Sequence, residues 1–185
     1  MSRLPVFITG NQNKADYLSQ MLGTHLDHHK VNLDEIQSTS LDEIVTHKVK
    51  QAYNLMKVPV LVEDVSLKFT ALDGLPGPFV KFFVDAEDGL EKMCRMCDGL
   101  ENRGARAECV FGYYDGQRLE LLHGGLDGMI AEHPKGDGGY GWDQVFCPKG
   151  YKGRTRGELT LEENKETYQK IKPFDQLRLL IHELK

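Results

Sequence analysis

A four-residue apolar run, Pro59-Val-Leu-Val62, breaks off at Glu63-Asp64. Apolar side chains without polar alternation mark a strand buried on both faces, and such a strand needs helices packed on each side of its sheet. The neighbouring segments supply them. Pro5-Val-Phe-Ile-Thr9 reads as another buried strand, which Gly10-Asn11 turns into a helix over Gln12–Leu22 with Gly23 as its stop. A strand is expected at Lys30–Leu33. Ser40-Leu-Asp-Glu43 is a capping box, and the helix it opens runs to Met56 with Leu41, Ile44, Val45, Val49, Ala52 and Met56 on one stripe. The carboxylates Glu63 and Asp64 then fall where the buried strand is expected to leave the sheet.

The second half has a different pattern. Leu72–Pro78 is a loop punctuated by glycine and proline, and Phe79–Val84 and Leu90–Cys97 read as helical. Ala105, Ala107, Cys109, Phe111 and Tyr113 alternate on one face of a strand. Asp115-Gly116 is a hairpin turn, and the return strand runs through Arg118–Leu122 towards Ile130. Two helices, Leu161–Lys170 and Phe174–Leu184, close the chain. Strand–helix–strand units in front of an antiparallel hairpin imply an α/β fold with a mixed sheet. A length of 185 residues fits one domain, 1–185, or two closely joined lobes.

Several functions are disfavoured. The net charge is −5 with no basic stripe, so no nucleic-acid partner is expected. A small anion that arrives with a divalent cation is compatible, because carboxylates can recruit the cation. No apolar stretch approaches the roughly 18 residues of a membrane span, and no signal-peptide core precedes the first strand. The expected setting is the cytoplasm, away from membranes. Cys94-Arg-Met-Cys97 has zinc-like spacing but no second pair to close a tetrahedral site. With Leu90 and Met93 these cysteines form an apolar helix face instead. The seven histidines show no metal spacing.

Four places carry chemistry. In Thr9-Gly10-Asn11-Gln12-Asn13-Lys14 a strand gives way to a helix start, whose backbone N–H groups and dipole attract an anion. Thr9 and Asn11 add donors, Gly10 lets a phosphate approach, and Lys14 adds charge. Lys48 shares the inward stripe of its helix, and a buried ammonium calls for an anionic partner or an escape to the rim. Asp64 beside Glu63, with Glu35 after the second strand, offers hard oxygens suited to Mg²⁺. Gly74-Leu-Pro-Gly-Pro78 with Lys81 is a rigid loop, and Tyr140-Gly141-Trp142-Asp143 pairs aromatics with a carboxylate able to wall and read a base.

Together these residues resemble the inosine triphosphate pyrophosphatase family, which acts on the non-standard purine nucleotides ITP, dITP and XTP. Thr9-Gly-Asn-Gln-Asn-Lys14 is similar to the family's opening Thr-Gly-Asn-x-x-Lys, and Glu63-Asp64-Val65-Ser66 to its Glu-Asp-(Thr/Ser). Ala71–Lys81 and Tyr140-Gly-Trp-Asp143 resemble two further family stretches, in the same order. The resemblance implies an elongated mixed sheet flanked by helices, two lobes with a central nucleotide cleft, and a homodimer. It also implies Mg²⁺-dependent hydrolysis of a nucleoside triphosphate to monophosphate and pyrophosphate. By position Thr9, Gly10, Asn11, Lys14, Lys48 and Lys81 would hold phosphates, with Val65 beside them. Glu35 and Asp64 would hold the metal, Asp64 would also activate water, and Tyr140–Asp143 would wall the base. One corner departs: where the family has Lys-Asn-x-x-Ser-His-Arg, this chain has Asn164-Lys165 and Tyr168-Gln169-Lys170. Asn164, Lys165, Gln169 and Lys170 are thus the expected base-reading residues, with altered donors.

Overall fold

The computed structural model describes residues 4–185. β1 is Val6–Ile8, and α1 (Gln12–Leu22) starts at Asn11, whose side chain accepts from the Lys14 N–H. β2 is His28–His29, and α2 (Leu41–Met56) starts at Ser40, which accepts from the Glu43 N–H. β3 covers Val60–Phe69, followed by β4 (Pro76–Gly77), α3 (Val80–Val84) and α4 (Gly89–Arg95). β5 (Gly104–Tyr114) and β6 (Leu119–Ile130) form the expected hairpin, and β7 is Phe146–Pro148. α5 (Leu161–Ile171) and α6 (Phe174–Glu183) close the fold.

The seven strands make one sheet in the order β2-β1-β3-β5-β6-β7, with β4 pairing β3. β1 runs parallel to β2 and β3, whereas β3–β4 and β6–β7 are antiparallel. This is the mixed α/β architecture expected from the sequence. None of the described helices is long and apolar enough to cross a membrane.

Two expectations are corrected. Lys30–Leu33 is not a strand; β2 ends at His29, whose carbonyl takes the Thr9 N–H at 3.0 Å, and past Thr9 the chain of β1 turns away into α1. β3 does not stop at Glu63-Asp64 but continues to Phe69, with a neighbouring strand on its far side in the sheet and Leu67 and Lys68 pairing with Gly77 and Pro76 of β4. The two carboxylates therefore lie inside a strand, and successive side chains on a strand point to opposite faces.

The chain divides into two compact units. The first comprises the residues up to Asp64, with Cys109–His123 and Pro173–Lys185; the second comprises Val65–Glu108 and Gly124–Lys172. In the first, Leu41, Val45, Val49 and Ala52 of α2 pack with Val60, Val62 and Val110. The rings of Phe7, Phe111 and Phe174 follow one another at 6.5 and 6.4 Å. In the second, Met93, Cys94 and Cys97 are buried on one face, as their spacing predicts. Arg103 ties that face to β6 by donating to the carbonyls of Cys94 (2.8 Å), Ile130 (2.9 Å) and Ala131 (2.6 Å). A half-buried guanidinium held by three carbonyls satisfies groups that would otherwise be costly to bury.

Candidate active site

In the first unit the strand-to-helix turn after β1 is pinned at both ends. The Thr9 hydroxyl accepts from the Asn11 N–H at 3.2 Å, and Asn11 Oδ1 accepts from the Lys14 N–H at 3.2 Å. Gly10, Asn11, Gln12 and Asn13 are exposed. The Gln12 and Asn13 N–H groups belong to a first helical turn and lack intrahelical acceptors, so an anion suits this end. Gly10 lies under the flexible stem of Lys30, and a Cβ there would meet Lys30 Cδ at 2.9 Å and push that side chain aside. Lys30, which the sequence reading passed over, thus lays its stem across the turn. The overlooked signal is its position directly after β2, at the same carboxyl edge as Thr9.

The carboxylates lie beyond the point where β1 stops pairing with β3, at Phe7 and Leu61. Glu63, on one face, takes the Lys14 ammonium at 3.3 Å. Asp64, on the other face with Val60 and Val62, is on the side where α2 packs. Lys48 of α2 reaches it there, placing Nζ 2.7 Å from Asp64 Oδ2 and 2.8 Å from Glu35 Oε1. The Lys48 side chain is only 15% exposed. Burial alone would lower its pKa, but Asp64 and then Glu35 outweigh burial and hold it above the usual lysine value. Cys109 lies buried beneath; burial pushes its thiol pKa up, with a lowering contribution from Lys14 and a raising one from Asp64. Thr9–Lys14 and the Glu35–Lys48–Asp64 cluster thus place anion donors and hard-oxygen ligands in the same unit.

The remaining expected residues belong to the second unit. Val65 is half-buried on β3. Lys81 on α3 is 78% exposed and pairs with Asp85 one turn on. In the glycine-rich loop Tyr140 is 92% exposed, while Trp142 is half-buried with its ring edge-on to Phe146 at 5.7 Å. Asp143 is buried and turned inward. Its Oδ2 accepts from the Tyr140 N–H at 2.8 Å and its Oδ1 takes Arg156 Nη1 at 2.6 Å. Burial raises its pKa above the ordinary carboxylate value, against the opposing pull of Arg156. The loop closes over this carboxylate so tightly that a Cβ at Gly139, where φ is +80°, would meet Asp143 Cβ at 2.5 Å.

The candidates on α5 separate by face, because a helix turns about 100° per residue. Asn164 shares an inward face with Thr167 and Tyr168, Lys165 shares an exposed face with Gln169, and Lys170 lies beside Glu166. Asn164 is engaged at both ends of its amide: Nδ2 donates to the Arg156 carbonyl at 3.0 Å, and Oδ1 accepts from Arg156 Nη2. Lys170 donates to Glu166 (2.6 Å) and to the Tyr151 hydroxyl (3.2 Å). The four expected base readers therefore do not form one cluster. Arg156, which links Asp143 to Asn164, was not singled out from the sequence.

A mixed α/β sheet with an exposed helix start and, in the same unit, carboxylates bridged by a lysine carries groups suited to a phosphorylated ligand and a divalent cation. The chain belongs to the Ham1 family, whose model matches residues 5–179. It is 40% identical over 176 residues to the inosine triphosphate pyrophosphatase of Emericella nidulans, covering 93% of each chain. With inosine triphosphate pyrophosphatase 2 of Trypanosoma cruzi it shares 40% identity over 174 residues, 92% of this chain and 88% of that one. Among solved structures, the Ham1 protein of Staphylococcus aureus superposes with a TM-score of 0.82 at 20% identity, over 99% of this chain and 100% of that one. A HAM1 protein from Coxiella burnetii gives 0.82 at 23% identity, over 96% and 98%. These two likenesses establish the fold.

Proposed function

We propose that this chain hydrolyses non-standard purine nucleoside triphosphates (ITP, dITP and XTP) between the α- and β-phosphates, releasing monophosphate and pyrophosphate with Mg²⁺ as cofactor. The carrying observation is the convergence of Glu35 and Asp64 on one cation, the Lys48 ammonium, in the unit that also holds the Thr9–Lys14 turn. The relatives named inosine triphosphate pyrophosphatase support the substrate class. The donor set fits Mg²⁺. Among the described residues no three His, Cys, Asp or Glu side chains gather as a metal-holding group. Two carboxylates completed by substrate phosphate oxygens and water are the usual arrangement for this ion.

Bound there, Mg²⁺ would neutralise phosphate charge and polarise the scissile anhydride. The protein's own groups do the rest. The α1 N-terminus, Thr9, Asn11 and Lys14 bind phosphate oxygens, and Lys48 balances the negative charge of Asp64, Glu35 and the leaving pyrophosphate. Asp64 orients the attacking water and accepts its proton. Tyr140 and Trp142 offer ring faces to a purine. The same resemblance supports a cytoplasmic homodimer, which light scattering would check.

A second reading is favoured by one observation: Asn164 and Asp143 are engaged internally. It keeps the same chemistry with relaxed base choice. The test is a panel of ITP, dITP, XTP, GTP, ATP and UTP with Mg²⁺, products resolved by anion-exchange chromatography, and a chelator control. Monophosphate and pyrophosphate, lost with chelator, are expected. Diphosphate and orthophosphate would reject the proposal, and the ranking among bases separates the two readings.

A further inference from the structure

Arg156 is 4% exposed and stands at the centre of the second unit's polar groups. Its Nη1 meets Asp143 Oδ1 at 2.6 Å, its Nε donates to the Thr167 hydroxyl at 3.0 Å, and its Nη2 donates to Asn164. The guanidinium lies 5.8 Å from the centre of the Tyr168 ring. Asn164 answers by donating to the Arg156 carbonyl. On the other side Asp143 holds the Tyr140 N–H, and the Asp143 carbonyl accepts from the Gly157 N–H at 2.9 Å. One side chain therefore connects the loop bearing Tyr140 and Trp142 to three inward positions of α5. Thr155 and Glu158 fix the backbone around it as a capping box. The position where the resemblance implies a family lysine carries Asn164 here, and the Arg156 guanidinium is packed against it.

We infer that Arg156 is a positioning residue for base recognition, which rests on the proposed function: its guanidinium holds the 140–143 loop and α5 as one rigid piece, and so sets the base preference. The planar fork addresses Asp143, Thr167 and Asn164 in different fixed directions, which a flexible single ammonium does not reproduce. Tyr140 has a largely exposed ring, so its place depends on its backbone, and that backbone is held by Asp143. Loosening Arg156 frees the wall without touching the residues proposed to bind phosphate in the first unit.

The test compares the wild type with Arg156→Ala and Arg156→Lys, using steady-state kinetics on ITP and GTP with Mg²⁺ and the fluorescence of Trp142, the chain's single tryptophan. For Arg156→Ala the KM for ITP is expected to rise roughly tenfold, with kcat changed less than about threefold. The ITP-to-GTP ratio of kcat/KM should fall by about tenfold. That is a loss of about 1.4 kcal/mol of discrimination. Trp142 emission should shift to the red, with faster quenching by acrylamide. Arg156→Lys keeps the charge and is expected to recover the unfolding midpoint but not the ratio. A merely structural arginine would lower the folded fraction, and with it the rate, while leaving KM and the ratio as they were. The inference is overturned by a ratio within twofold of the wild type in Arg156→Ala, or by full rescue in Arg156→Lys. Should Arg156→Ala not fold, the Arg156→Lys ratio and fluorescence decide alone. Should the wild type turn over no nucleotide, the proposed function fails, and an unchanged Trp142 signal in Arg156→Lys would still sink the claim that the fork holds the loop.

Discussion

The two units spend their charged residues in opposite ways. In the first, Lys48 bridges Asp64 and Glu35, which are 23% and 70% exposed, while Lys14, at an exposed helix start, pairs with Glu63. Such an arrangement attracts further charge from outside, as a metal-chelated triphosphate would supply. In the second, Asp143, Arg156, Asn164 and Thr167 satisfy one another, and the ion pair at its centre is 8% and 5% exposed. An inward network of this kind is matched to shape, not to an incoming charge. On the proposed function, the difference assigns chemistry and selectivity to separate physical devices: the partly exposed charges to the reaction, the internally satisfied network to the wall.

Perturbing each device should give opposite signatures, and the largest effect is expected at Asp64. Asp64→Asn keeps the shape and removes the base, so kcat should fall on the order of 10²–10⁴-fold, the usual range for loss of a general base. Stability should change by less than about 1 kcal/mol, since the amide oxygen that replaces the carboxylate still accepts from Lys48 and Glu35, 70% exposed, still pairs with it. Product assays beside urea unfolding check both halves, and a variant near the wild-type rate would break the assignment.

Asp143→Ala should show the reverse. Removing one partner leaves Arg156 with an uncompensated buried charge, which costs about 3–5 kcal/mol when the pair is fully buried. The unfolding midpoint in urea should drop accordingly. kcat for the molecules that remain folded should fall far less than in Asp64→Asn. A midpoint equal to that of the wild type would erase the contrast between the units.

The fold was legible where one-dimensional signals are strong. The Asn11 and Ser40 caps, the Gly23 stop, and the alternation of residues 105 to 113 marked elements that the structure contains. What escaped was decided by pairing. Nothing in Lys30–Leu33 says that β1 turns away into α1 too soon to hold it, and nothing in Glu63-Asp64 says that neighbouring strands flank β3 beyond them. In the site, the order of motifs exposed the candidates for phosphate and metal binding, since a strand–Gly–helix turn and adjacent carboxylates carry their chemistry locally. Arg156 stayed hidden because its partners lie 8 to 13 residues further along or back, in a loop and on a helix face. Its role exists only once Asp143 has turned inward.

The smallest expected effect sharpens the comparison at the rim of the second unit, where α5 begins. Glu163 caps the Thr160 N–H at 2.9 Å and pairs with Arg154, and this pairing, reinforced by the cap, lowers its pKa to about 2. Depression below the ordinary value of 4.5 means that the folded chain binds the proton less readily than the unfolded chain. Its contribution to stability is therefore fully present above the ordinary value, and is lost as pH falls from there through about 2. Glu163→Gln retains a side-chain oxygen for the cap but carries no charge. Urea midpoints of wild type and variant should differ by a constant small amount at and above pH 6, and converge towards pH 2. A difference that persists unchanged into acid would show that the cap, not the charge on Glu163, anchors the start of α5. In that case the outward charges of this unit would do as little for stability as those around Asp64.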